Sequence, residues 1–343
     1  MMAVLYGFTL LHGIFAAGVI PILGTYLPGH SAWAFAAYFA GLVGGQLLVI
    51  VWRGLRARPR AYALCEAAFG LSLVGMGVTL DLVPWSLIVG RLVEGLAAGM
   101  SLPLLFELVA RGGAGTLAPR RLAIFNSLFA IGFVAGPPLV EGLLGGISAG
   151  AVLVGAGALC FVLAAASLPL LPALPPARDQ VAVPRGGWLA TFLLIFLAKT
   201  SYGFVLPFTT DALAPRLAPL SLGQVMLLLS ASVVVGQALA VPLSRRVRAV
   251  VYPTLLAALL LTLYATGAPW VLFPAGVVHS LLLHAGMVGA AAQPGGARDF
   301  AIVNSLSDPG MVLGSALALT GEPGLMLLAA LCLTPLLRAR IDA

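Results

Sequence analysis

Ala123-Ile124-Phe125-Asn126-Ser127-Leu128, followed by Gly132, Val134, Gly136 and Leu139, returns 178 residues later as Ala301-Ile302-Val303-Asn304-Ser305-Leu306, Gly310, Val312, Gly314 and Leu317. Two further echoes flank it: Gly45-Gln46-x-Leu48 against Gly236-Gln237-x-Leu239, and Ala98-Gly99-Met100 against Ala285-Gly286-Met287. The chain therefore reads as two copies of one unit. Each copy is made largely of apolar stretches long enough to cross a bilayer, and paired similar halves of that kind characterise proteins that work inside a membrane.

Composition agrees. Hydrophobic residues make up 61% of the 343 and charged residues only 8%, whereas soluble domains carry about 25% charged residues. The hydrocarbon core requires roughly 20 apolar residues per helical span, and backbone that leaves hydrogen-bonding groups unpaired cannot face lipid. The predicted class is an all-α membrane protein with twelve transmembrane helices, at 3–27, 31–52, 61–80, 84–109, 122–143, 148–170, 187–210, 220–242, 249–267, 270–291, 299–320 and 323–339. They divide into an N-terminal six-helix bundle (1–170), a cytoplasmic linker (171–186) containing Pro172, Pro175, Pro176, Arg178, Asp179, Pro184 and Arg185, and a C-terminal six-helix bundle (187–343). Loops this short leave no room for a soluble catalytic domain or a nucleotide-binding cassette, and no P-loop is present.

The formal charge of +7 is a topology signal and not a nucleic-acid footprint, because the arginines crowd into alternate loops. Arg53, Arg56, Arg58 and Arg60 follow span two, Arg111, Arg120 and Arg121 follow span four, and Arg245, Arg246 and Arg248 follow span eight, while the opposite loops hold only Arg216. Both termini are expected to be cytoplasmic, in a bacterial inner membrane. Span one lacks a basic leader and a small-residue cleavage site and is read as a retained helix. Cys65, Cys160 and Cys332 fall inside spans without metal-ligand or redox spacing and are expected to pack as small apolar groups. No metal or cofactor is expected.

Arg91-Leu92-Val93-Glu94-Gly95-Leu96-Ala97-Ala98-Gly99 in span four and Gly132-Phe133-Val134-Ala135-Gly136-Pro137 in span five resemble two signatures of the major facilitator superfamily. The second resembles the family's Gly-x-x-x-Gly-Pro pattern, associated there with antiporters. The loop after span two departs from the family: it keeps Arg53 and Arg56 but has no acid between Gln46 and Glu66. The resemblance implies two pseudo-symmetric bundles around a cavity that opens alternately to either side. It also implies that spans one, four, seven and ten line that cavity, with two, five, eight and eleven along the seam.

Ionisable groups inside spans are costly in lipid and are functional candidates by default. Lys199, the only lysine, lies about twelve residues into span seven, near the midplane at roughly 1.5 Å per residue. His12 lies at a similar depth in span one and, on an offset of 187, is its equivalent, although nearby Pro21 and Pro207 align one residue differently. Asp308, just before Pro309, is the expected partner of Lys199 and a switchable carboxylate, since burial and a neighbouring cation act oppositely on it. Arg91 and Glu94 share a helical face at i, i+3. Arg91 keeps its proton and is suited to an anion.

Proton coupling is accordingly assigned to Asp308 and Glu94, and substrate binding to Lys199, His12, Arg91, Tyr202 and His279. Packing or gating is assigned to Gly132, Gly136, Pro137, Asn126, Asn304, Gln46 and Gln237. Static ion pairs that only order the helices are the competing explanation for the charged residues. His279 and His284, five apart, are on different faces and cannot chelate one metal as an i, i+4 pair would. Glu66 and Glu107 are assigned to cytoplasmic gate or loop salt bridges.

The expected function is a secondary transporter, most simply a monomer exporting a small anionic or zwitterionic solute against protons. A proton-coupled nutrient importer is the near alternative. A membrane-embedded enzyme or a non-transporting scaffold is the distant one, and no nucleophile–base set supports an enzyme.

Overall fold

A computed structural model describes residues 2–51, 60–111, 118–169, 188–208, 222–244, 251–266, 268–291 and 306–341. The linker, Asn304 and most of the arginine-rich loops lie outside the described residues. So does the side chain of Asn126.

All regular structure among the described residues is helical. In chain order the helices are α1 (Met2–Gly18), α2 (Ile20–Tyr26), α3 (Ser31–Val51), α4 (Arg60–Thr79), α5 (Ser86–Arg111), α6 (Ala118–Leu144) and α7 (Ala149–Ser167). They continue with α8 (Trp188–Phe208), α9 (Leu222–Ser244), α10 (Val251–Thr266), α11 (Leu272–Ala291), α12 (Pro309–Ala318) and α13 (Glu322–Ile341). Predicted span one is thus two helices. Pro21, in the first turn of α2, cannot donate to the preceding turn, and the chain breaks at Val19. Ser148 caps α7 by accepting from the Ala151 amide at 3.3 Å. Gly29 (φ 72°) and Gly321 (φ 65°) make the left-handed turns that lead into α3 and α13.

Six segments are long and apolar enough to cross a membrane, from Leu5–Tyr26 to Ala149–Ser167. Six apolar stretches of 10–17 residues, within α8 to α13, follow in the places of predicted spans seven to twelve.

The chain divides into two compact units, Met1–Pro28 with Trp33–Val183, and Pro184–Ala343 with Gly29–Ala32. Lipid tails are as apolar as leucine, so helices in a membrane associate by close packing, and small residues decide where. In the first unit three glycine seams do this. Gly41 and Gly45 of α3 lie on the backbone of α5, and Gly95 and Gly99 of α5 lie on the backbone of α3 at Tyr38 and Leu42. Gly132 and Gly136 of α6 meet the α1 backbone at Leu10, Ile14 and Gly18. Gly70 and Gly77 of α4 meet Gly157 and Gly150 of α7.

The second unit repeats this plan internally. α8 packs on α12, α9 on α11 and α10 on α13, the same first-to-fifth, second-to-fourth and third-to-sixth pairing. Phe204, Leu256, Leu260, Leu282 and Leu328 fill its core.

The seams also fix the register of the repeat. Gly132 meets Leu10 and Ile14 where Gly310 meets Phe196 and Thr200; Gly136 meets Ile14 and Gly18 where Gly314 meets Thr200 and Phe204. Positions 10, 14 and 18 thus correspond to 196, 200 and 204, an offset of 186 that also matches Pro21 to Pro207. This corrects the sequence alignment by one residue. Lys199 stands where the first unit has Gly13, and His12 corresponds to Ala198. One residue turns a side chain by about 100°, so the two ionisable groups point toward different neighbours.

A seam glycine leaves no room for a side chain. In Gly99→Val the new atoms collide with the Leu42 backbone, and overpacking of this kind costs about 1–3 kcal/mol. Gly75→Val, where a Cβ meets nothing within 4 Å, is the control. Thermal unfolding in detergent is expected to fall for the first and hold for the second.

Candidate functional site: two buried ionic clusters

Within the first unit α1, α4 and α5 bring four ionisable side chains into the interior: His12 is 2% exposed, Glu66 4%, Arg91 1% and Glu94 0%. Arg91 is the hub. Its Nη1 donates to Glu94 Oε1 at 2.7 Å and to the Ala16 carbonyl on α1 at 3.2 Å. Its guanidinium lies 4.0 Å from the centre of the Tyr38 ring on α3, a desolvated cation–π contact. The Gly95–Gly99 seam brings α3 close enough for this, because Gly95 sits on the Tyr38 backbone.

His12 is four residues before Ala16, on the same face of α1. Its Nδ1 lies 3.2 Å from Glu66 Oε1 on α4, and its ring packs 4.7 Å from that of Phe69 and 6.2 Å from that of Phe129. Three polar atoms of this cluster, His12 Nε2, Arg91 Nε and Glu94 Oε2, have no hydrogen-bond partner among the described residues.

Within the second unit Lys199 Nζ on α8 is bonded to Asp308 Oδ1, with both side chains buried. The acid stands at the boundary of α12, where a short helical turn ends and Pro309 begins the next helix. The repeat explains how the pair fits. Lys199 takes the place of Gly13, which in the first unit lies against the Phe129 and Phe133 backbone of α6. Asp308-Pro309 takes the place of Ala130-Ile131, through which α6 runs unbroken. The second unit thus puts a cation at a seam position and, opposite it, an acid and a helix break. Two residues beyond Lys199 on α8, Ser201 Oγ is 2.9 Å from His279 Nδ1 on α11, and the Tyr202 ring stacks on that imidazole at 5.7 Å and 26°.

Comparison with known proteins supplies the fold. No family model matches the sequence, and no curated protein matches it either. Among solved structures the chain is similar to the human organic anion transporter MFSD10 (TETRAN), with a TM-score of 0.63 and 16% identity over 97% of each chain. It is also similar to a bacterial homologue of the human lysosomal transporter Spinster, in an inward-facing and unoccupied conformation. That match has a TM-score of 0.68 and 16% identity over 93% of this chain and 80% of the other.

The fold is the one found in these two solved structures. One of those proteins is described as an organic anion transporter and the other as a homologue of a lysosomal transporter, and six helices of this chain have the length and composition to cross a membrane.

In this fold the residues singled out from the sequence fall into separate groups. His12, Arg91 and Glu94 belong to one cluster; Lys199 and Asp308 form a pair; Tyr202 and His279 stack beside Ser201. Gly132, Gly136 and Pro137 lie on α6, the two glycines against α1. Gln46 is buried, with its Oε1 unpartnered among the described residues, and Gln237 is half-buried. His284 is half-buried on α11. No group of three or more His, Cys, Asp or Glu able to hold a metal occurs among the described residues, and all three cysteines are free and buried.

Two residues were misjudged or missed. Glu66, assigned to a gate salt bridge because arginines precede it, is instead an interior partner of His12. The clue was its place on α4, more than one turn inside an apolar helix. Tyr38 carried no signal of its own; only the facing glycine at position 95 betrays that its ring lies level with Arg91.

Removing one partner of a buried pair strands the other. Arg91→Leu leaves Glu94 uncompensated, which costs about 3–5 kcal/mol, and folded yield in detergent is expected to collapse. Arg91→Leu with Glu94→Leu is expected to recover most of it. A double variant no better than the single would show that the guanidinium, through Tyr38 and Ala16, matters independently of its acid.

Proposed function

We propose that the chain is a secondary transporter working by alternating access, in which protonation drives export of a small anionic or zwitterionic organic solute. The observation that carries this reading is the buried Lys199–Asp308 pair. A static pair contributes little net stability, because desolvation offsets attraction, so an ion pair kept at a helix break is better explained by use than by strength. A zwitterion can open the pair, its ammonium on Asp308 and its carboxylate on Lys199; a proton taken up by Asp308 competes with that ammonium and displaces the solute, so that proton and solute exchange places. Glu94 is the second proton-coupling carboxylate.

The groups within each unit suit such a solute. In the second unit Lys199 supplies positive charge and the stacked Tyr202 and His279 a polar aromatic face; in the first, Arg91 and His12 supply positive charge or hydrogen bonds. The printed description of the human protein of similar fold, an organic anion transporter, accords with this set. The direction, outward against protons, rests on the resemblance of Gly132-x-x-x-Gly136-Pro137 to the antiporter pattern. The arginine distribution supports cytoplasmic termini in a bacterial inner membrane, and the unit of function is taken as the monomer.

The test is flux in proteoliposomes. Vesicles are screened with labelled small carboxylates and amino acids under an imposed pH gradient, and the gradient is then reversed to separate export from import. The parent is expected to concentrate its solute only with the gradient, Asp308→Asn to equilibrate solute without responding to it, and Lys199→Ala to lose saturable binding. Coupling that survives intact in Asp308→Asn refutes the role given to that carboxylate.

A further inference from the structure

Ser201, Tyr202 and His279 form a cluster of the second unit that stands apart from the ion pair. Ser201 is buried, whereas Tyr202 and His279 are half-buried. An ionisable ring within a span is costly against lipid and turns to the protein interior or to a water-filled cavity, so a half-exposed imidazole on α11 with a phenol ring stacked on it reads as a cavity-lining group. The helical wheel of α8 agrees. At about 100° per residue Ser201 is about 200° from Lys199, and Tyr202 falls on the shorter arc between them. Lys199 meets Asp308 beside α12 and Ser201 meets His279 on α11, so Tyr202 marks the open side of α8, flanked by both contacts.

Hydrogen bonding decides which ring nitrogen is left for that side. A carbonyl oxygen only accepts, and a serine hydroxyl has one proton to give. Ser201 Oγ donates its proton to the Ala198 carbonyl, one turn back on α8, at 2.7 Å. In its 2.9 Å contact with His279 Nδ1 the imidazole is then the donor. A neutral imidazole carries a single N–H, so Nε2, on the opposite edge of the ring, keeps a lone pair. α11 is pinned in this rotation from a second direction: Ser280 Oγ donates to the Val233 carbonyl on α9 at 3.0 Å, and Gly236 on α9 leaves space for the Ser280 side chain.

We propose that Ser201 is a positioning residue that holds His279 as the Nδ1–H tautomer, so that Nε2 accepts a hydrogen bond from the solute and selects solutes bearing a hydroxyl or amide N–H. An acceptor fixed at this point favours a donor and disfavours a group that brings only lone pairs, because two facing acceptors leave each other unpaired. The solute class narrows accordingly: Lys199 and Asp308 meet the charged ends of a zwitterion, and a third, neutral donor group meets His279. The selection rests on the transport reading; the tautomer is a property of the protein alone.

The first measurement is ¹⁵N NMR of the whole protein labelled at histidine, in lipid nanodiscs at about pH 8, above the ordinary titration of histidine. The chain has four histidines, so His279 is assigned by the loss of its signals in His279→Gln or, where that variant does not fold, by removing His12, His30 and His284 in turn. The parent is expected to carry its proton on Nδ1, Ser201→Ala to show a mixture of tautomers, and Ser201→Thr, which keeps the hydroxyl, to restore the parent pattern. A proton on Nε2 in the parent, or a tautomer indifferent to Ser201→Ala, overturns the proposal. The second measurement compares uptake of labelled serine and of O-methylserine, which lacks the hydroxyl proton, into proteoliposomes. Serine is expected to be preferred by about fivefold or more in the parent, with the ratio near one in Ser201→Ala and regained in Ser201→Thr; a parent that carries both equally overturns the selection. Uptake of neither under either direction of the pH gradient would instead defeat the transport reading for this solute class, and the ring measurement would still decide the role of Ser201.

Discussion

Helices in lipid gain nothing from hiding apolar surface against one another, so what selects their partners is how closely two backbones can approach. In this chain that constraint falls on a small set of glycines. Gly95 and Gly99 bring α5 onto α3, and Gly132 and Gly136 bring α6 onto α1; everything ionic is then placed by where those crossings occur. Arg91 is one turn from Gly95, which is why its guanidinium reaches the Tyr38 ring and a carbonyl of α1. Once held there in a dry interior, the guanidinium requires an acid, and Glu94 supplies it from the same helix face.

The second unit shows the same packing carrying different chemistry. Its α8–α12 seam uses Gly310 and Gly314 as the α1–α6 seam uses Gly132 and Gly136. At the level of Gly13 it holds Lys199 instead, and the facing Ala130-Ile131 has become Asp308-Pro309. These changes make sense only together. A lysine introduced against a continuous helix backbone would be both crowded and uncompensated; an acid plus a proline that starts the helix afresh gives it a partner and room.

Much of this was legible in the sequence because it depends on local spacing. The repeated hexapeptides disclosed the two copies, hydropathy disclosed the order of apolar helices, and Lys199 and Asp308 stood out as rare ions in apolar stretches. What escaped depends on rotation about a helix axis. An offset of 187 made His12 the twin of Lys199, whereas the seams align Lys199 with Gly13, and that single residue decides that one side chain meets Glu66 on α4 and the other meets Asp308 beside α12. Distance along the chain likewise hid Glu66, since a residue near arginines in sequence can still face inward once its helix has made more than a turn.

The two clusters differ in what moving them would cost. Separating Lys199 from Asp308 without replacement strands two opposite charges, a penalty of about 3–5 kcal/mol, comparable to or larger than the few kcal/mol that divide interconverting states of one protein. A transport cycle built on that pair must therefore give each ion a replacement partner as the pair opens, and a proton and a solute ammonium that compete for Asp308 would exchange one for the other. The first cluster is knit differently: Arg91 holds Glu94 and the Ala16 carbonyl while His12 meets Glu66, so opening any one of these contacts leaves the others in place to hold α1, α4 and α5 together.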